Sequence, residues 1–103
     1  MKIEIVISSL KTRTYVIVDS ENNSITFNGE KVEYSSADFT SEILSITKSW
    51  KNKMINPRIM DGEKYKVKII DGIEEKTYEG KNAFPANYGK FKELIRRVAN
   101  ART

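Results

Sequence analysis

Ile25-Thr26-Phe27-Asn28-Gly29-Glu30-Lys31-Val32 is the stretch that decides the fold. Asn-Gly takes positive φ at little cost, as the two central residues of a type I′ turn must. A two-residue hairpin centred there sets Phe27 opposite Glu30 and Ile25 opposite Val32. Side chains alternate across a strand, so Ile25, Phe27 and Val32 share one apolar, core-facing side.

Upstream of this hairpin, Ile3, Ile5 and Ile7 alternate with Lys2, Glu4 and Ser8, the period of a one-sided strand. Tyr15-Val16-Ile17-Val18 reads as a central strand, apolar on both faces. Glu21-Asn22-Asn23-Ser24 is a turn cluster. Downstream, Ser35 to Asp38 supplies helix-capping groups. Phe39, Ile43, Ile46, Trp50 and Met54 follow at spacings of four, three, four and four, which predicts an amphipathic helix over 39–54, stopped by Asn56-Pro57. Tyr65, Val67 and Ile69 alternate with Lys64, Lys66 and Lys68, and Asp71-Gly72 signals a second hairpin. The charged return segment, 74–79, reads as an edge strand. A second helix over 87–99 carries the stripe Tyr88, Phe91, Leu94, Ile95 and Val98, with Pro85 or Asn87 at its start.

The order is βββαββα. It predicts an α+β, two-layer domain spanning 1–103: a five-strand, mostly antiparallel sheet with two helices on one face. The expected core includes Ile5, Ile17, Phe27, Val32, Phe39, Ile43, Ile46, Trp50, Val67, Ile69, Phe84, Phe91 and Ile95.

At 103 residues the chain has room for one core. It holds no cysteine, which favours a reducing, cytoplasmic setting. No run approaches the roughly 18 apolar residues of a membrane span, so no membrane partner is expected. The formal net charge is +4, unevenly placed: residues 1–45 hold four basic and seven acidic groups, residues 46–103 fourteen and seven. A basic half attracts nucleic acid or acidic proteins, or simply confers solubility.

Absent residue types bound the chemistry. With no histidine and no cysteine, imidazole catalysis, thiolate catalysis and thiolate zinc sites are excluded. No Gly-rich phosphate loop is present. Asp61, Glu63 and Asp71 lie at turns, where carboxylates commonly bond to backbone, and they lack calcium-loop spacing. The expectation is no catalytic residue, no cofactor and no metal. The positive feature is the lysine stripe Lys64, Lys66 and Lys68, to which Lys81, Arg96 and Arg97, with Lys92, add charge if they lie nearby. Together they form a candidate nucleic-acid or anion site, with Tyr78 as a stacking surface. The competing reading is the solvated face of a one-sided sheet, its lysines interleaved with Glu75 and Glu79. Trp50 is a partner anchor on one reading and a core residue on the other. The latter fits its place on the helix stripe. Residues 80–88 either hold an anion or simply build a strand-to-helix connection: Gly80 releases the strand, Phe84 plugs the core, Pro85 fixes φ and Asn87 caps.

The run Trp50, Asp61-Gly62, Tyr65-Lys66-Val67 and Gly80-x-Asn82-x-Phe84-Pro85-x-Asn87-Tyr88, ahead of an amphipathic helix, resembles small bacterial α+β proteins with no assigned activity, over the second half of the chain. The resemblance implies a recurrent fold and a bacterial or phage-like source, and no site. Function is expected in the class of non-catalytic protein-interaction modules, including self-association through a sheet edge. Nucleic-acid binding through the basic strand face is the second class, and a small enzyme using carboxylate or lysine chemistry the third.

Overall fold

The structure is a computed structural model that describes residues 1–58 and 62–102. Its strands are β1 (Lys2–Ser8), β2 (Arg13–Asp19), β3 (Ser24–Phe27), β4 (Glu30–Lys31), β5 (Lys53–Ile55), β6 (Lys64–Asp71) and β7 (Glu74–Lys81). The helices are α1 (Ser36–Thr47) and α2 (Tyr88–Asn100). The strands form one mixed sheet in the order β4-β3-β2-β1-β6-β7-β5. The α+β class is as the sequence implies. The sheet differs in detail, with seven described strands rather than five. Of the two beyond the five, β4 is the return arm that the Asn28-Gly29 hairpin already implies, and β5 is the strand that was not expected.

The Asn28-Gly29 hairpin has the expected register. Phe27 pairs with Glu30, and Val32 N–H donates to the Ile25 carbonyl at 3.0 Å. Asn28 and Gly29 sit at φ 51° and 85°, the positive pair a type I′ turn needs. The second hairpin turns one residue later than expected: Asp71 pairs with Glu74, so Gly72-Ile73 is the loop.

Helix α1 starts where its cap predicts, with the Ser35 hydroxyl accepting from Asp38 N–H at 3.1 Å. It ends at Thr47 rather than at 54. The spacing of Trp50 and Met54 continues the helical stripe, but another demand wins. The outer backbone edge of β7 needs partners, and β5 supplies them by pairing parallel to it, Met54 beside Gly80. Glu79 N–H donates to Asn52 C=O and Asn56 N–H to Lys81 C=O, both at 3.0 Å. So β7 is an interior strand, not the expected edge. The edges are β4 and β5.

One face of the sheet builds the core. Ile3, Ile5 and Ile7 of β1, Val16 and Val18 of β2, and Tyr65, Val67 and Ile69 of β6 form one buried cluster with Phe39 and Ile43 of α1 and Phe91, Leu94, Ile95 and Val98 of α2. Each such burial contributes about 1.5–3 kcal/mol. Three expected core residues sit differently. Ile17 is exposed, because pairing with β3 aligns Val16 with Phe27 and Val18 with Ile25 and turns Tyr15 and Ile17 to the other face. Ile46 is half-buried beside the cluster. Phe84 lies at the exposed rim, its ring 4.6 Å from Tyr88.

Trp50 is a core residue. Its ring meets Tyr65 and Phe91 edge-on, both at 5.2 Å between centroids. Its indole N–H donates to Asn87 Oδ1 at 2.6 Å, and Asn87 Nδ2 donates to the Ile46 carbonyl at 2.9 Å. Asn87 therefore does not cap α2 with its side chain. It satisfies a carbonyl at the end of α1 instead and locks the two helices to the tryptophan between them.

Candidate functional site

Both helices pack on the core side, so the opposite sheet face is open. Its residues follow from alternation and register. At the end where β1 closes and β6 begins, Arg13, Ser8, Lys64, Lys81 and Ile55 form one row across β2, β1, β6, β7 and β5. Two residues along each strand, Tyr15, Val6, Lys66, Glu79 and Lys53 form the next.

The first row carries the charge. Lys64 and Lys81 are direct cross-strand partners, both exposed. Arg13 and Lys11 join them around a groove of about 540 Å3 that also takes in Ser8 and Asn82. No carboxylate among the described residues lines that groove. A second groove of about 370 Å3 shares Ser8, Lys64 and Lys81 with it, and adds Val6 and Ile55 as an apolar floor. The two join at Ser8, Lys64 and Lys81 into one trough, basic except for Glu79 beside Lys66 in the second groove.

Charge is balanced elsewhere on this face. Lys68 pairs with Glu75 at 3.3 Å, Lys2 with Glu4 at 3.8 Å and Lys53 with Glu79 at 3.9 Å. Lys11, Arg13, Lys64, Lys66 and Lys81 have no ion-pair partner among the described residues.

Of the residues singled out in the sequence, Lys64, Lys66 and Lys81 come together, with Lys81 as the last residue of β7 rather than part of a loop. Lys68 lies on the same face but is engaged by Glu75. Arg96 and Arg97 lie on α2, across the sheet from the lysines, and do not join them. The Arg96 guanidinium pairs with Glu93, and this bond holds the Glu93 carboxyl below its ordinary range. Arg97 pairs with Glu42 at 3.2 Å. Lys92 is held by Glu63 at 2.6 Å, whose other oxygen accepts from Tyr88 O–H at 2.6 Å. Tyr78 stands opposite Val67 on the core face, its ring 6.2 Å from Trp50, so it offers no stacking surface to the lysines.

The sequence reading missed Arg13, Lys11 and Tyr15. Tyr15 is 42% exposed on the basic face, with the Arg13 guanidinium 5.7 Å from its ring centroid. Ile25 and Phe27 facing the core turn Tyr15 away only through the β2–β3 register, which local pattern does not fix. Among the turn carboxylates, Glu63 and Asp71 stand at opposite ends of β6, and Asp61 lies outside the described residues. No group of three or more acidic residues among the described residues is placed to hold a metal ion. No helix among them is long and apolar enough to cross a membrane. Comparison of the chain with protein-family models, curated proteins and solved structures gives no match.

Proposed function

We propose that this chain is a non-catalytic binding module that takes a polyanion on its helix-free sheet face. The observation that carries the reading is the Arg13–Lys64–Lys81 row. Like charges placed directly opposite one another destabilise a sheet. Here such a pair lines a groove with no described carboxylate, and Glu79, the one in the adjoining groove, pairs with Lys53 instead. An ordinary solvated sheet face interleaves its signs, as this one does around Lys68 and Glu75. The unrelieved end is suited to an external anion.

Self-association through a sheet edge has less support. The edge strands β4 and β5 are two and three residues long, and short edges template pairing poorly. Beyond β4, Val32 is already bridged by Arg102. A cytoplasmic setting, which the absence of cysteine favours, is one where polyanions abound.

The test is binding of fluorescein-labelled heparin across a salt series, for the natural chain and for Lys64→Glu/Lys81→Glu. Salt-sensitive binding that the double variant loses supports the reading. Absence of binding at low salt, or equal binding by the variant, removes it.

A further inference from the structure

We propose that the polyanion is a single-stranded nucleic acid, its phosphates on the Arg13–Lys64–Lys81 row and a base stacked on Tyr15; this rests on the polyanion reading above. The warrant is the juxtaposition of two parallel rows. The cationic row and the row Tyr15–Val6–Lys66 are two residues apart on the same strands, about 7 Å at the rise of a β-strand. That is about the reach of one nucleotide from phosphate to base. A strand lying across β2, β1, β6 and β7 thus meets Arg13, Lys64 and Lys81 along one side and, along the other, the apolar pair Tyr15 and Val6 on β2 and β1, followed by Lys66 and Glu79 on β6 and β7.

The apolar end of the second row, with Ile17 next along β2, is open. Tyr15 and Ile17 are each 42% exposed, and Val6 lies between Tyr15 and Lys66 in the register. Arg13 serves both rows. Its guanidinium lies over the Tyr15 ring, and a stacked guanidinium keeps its N–H edge for a phosphate. From Arg13 to Lys81 is three strand spacings, about 14 Å, which accommodates roughly four nucleotides at the stacked rise. An acidic peptide would use the cations but has no need of the aromatic row. A duplex buries its bases and would find a flat face rather than a helix or ribbon to enter its groove. Single strands offer bases for stacking on exposed aromatic side chains.

The decisive experiment is fluorescence anisotropy with fluorescein-labelled dT12, the same strand annealed to dA12, labelled heparin and a labelled oligoglutamate peptide, each across a salt series. The expected result is dT12 bound at least tenfold tighter than the duplex. The slope of log K against log salt should be about −2 to −3.5, for three to five phosphates neutralised on single strands. Tyr15→Ala should weaken dT12 by about 5- to 150-fold and leave heparin unchanged, whereas Tyr15→Phe should retain dT12 binding. A thermal melt of each variant confirms that it is folded. Heparin binding with dT12 and duplex equal, or with Tyr15→Ala without effect on dT12, overturns this inference and leaves the polyanion reading intact. Preference for oligoglutamate overturns it in favour of an acidic protein. No binding of any probe at low salt overturns both.

Discussion

Lys64 and Lys81 face each other across β6 and β7 as direct cross-strand partners, and no ion pair among the described residues neutralises either. A sheet optimised only for stability would place opposite charges there. Lys81→Glu should therefore stabilise the fold by about 0.2–1 kcal/mol while weakening polyanion binding. Urea denaturation read beside a binding titration checks both halves. Lower stability with unchanged binding would mean the pair has no such cost and no such use.

Asn87 is expected to matter for stability more than its half-buried position implies. Asn87→Ala leaves both the Trp50 indole N–H and the Ile46 carbonyl without their partners. A polar group left unsatisfied in a buried setting costs about 1–3 kcal/mol. A drop of that size in the urea-derived unfolding free energy is predicted, with a change in Trp50 fluorescence. A variant as stable as the parent would show that water replaces the amide freely.

The face assignment of β2 gives a paired prediction. Ile17→Thr should change stability by no more than about 0.5 kcal/mol, as surface substitutions do. Ile25→Ala, at a fully buried site, should cost about 2–5 kcal/mol. Thermal unfolding of both variants distinguishes this register from one in which β2 slips by a single residue, which would bury Ile17 and make both substitutions costly.

Gly80 is required by a close approach. A Cβ there would lie 2.2 Å from the Tyr65 ring. Gly80→Ala should destabilise by about 1–3 kcal/mol, as overpacking does. The penalty should shrink when measured in a Tyr65→Val background, because the ring it strikes is gone. An equal penalty in both backgrounds would place the constraint in the backbone instead.

The tyrosines predict behaviour in alkali. Burial, then the hydrogen bond to Glu63, raises the Tyr88 pKa far above its ordinary 10.0, and burial raises that of Tyr65. A raised folded-state pKa means the folded form holds its phenolic proton while the unfolded chain releases it. The stability this linkage contributes is full below about pH 10 and is lost as pH rises beyond that value. Tyr88→Phe should show a shallower fall in stability between pH 9.5 and pH 11.5 (both approximate bounds of a practical titration). An unchanged slope would show that Tyr88 does not carry the effect.

The elements that were legible in the sequence are those set by local pattern. The Asn28-Gly29 register, the alternation of Tyr65, Val67 and Ile69, and the stripe of α2 all reappear in the structure. The misreadings share a cause, which is that pairing between distant segments decided them. Residues 53–55 carry a helical spacing, but the unpaired edge of β7 draws them into a strand. Val16 and Ile17 are alike in local character, and only pairing with β3 sorts one inward and one outward. Half of the site was readable for the same reason. Alternation alone puts Lys64 and Lys66 on one face, but Lys81 joins them only through the register counted back from Gly72-Ile73, and Arg13 only through β1. Arg96 and Arg97 belong to the same basic half of the chain yet lie on the far layer, paired with Glu93 and Glu42. Net charge does not reveal such a separation.

The most direct measurement is a two-dimensional amide NMR titration of the labelled chain with dT12 at low salt. The predicted shifts concentrate on Ser8, Lys11, Arg13, Tyr15, Lys64, Lys66 and Lys81, leaving the amides of α1 and α2 in place. Shifts centred on the helices around Arg96 and Arg97, or none anywhere, would contradict a binding site on the open sheet face.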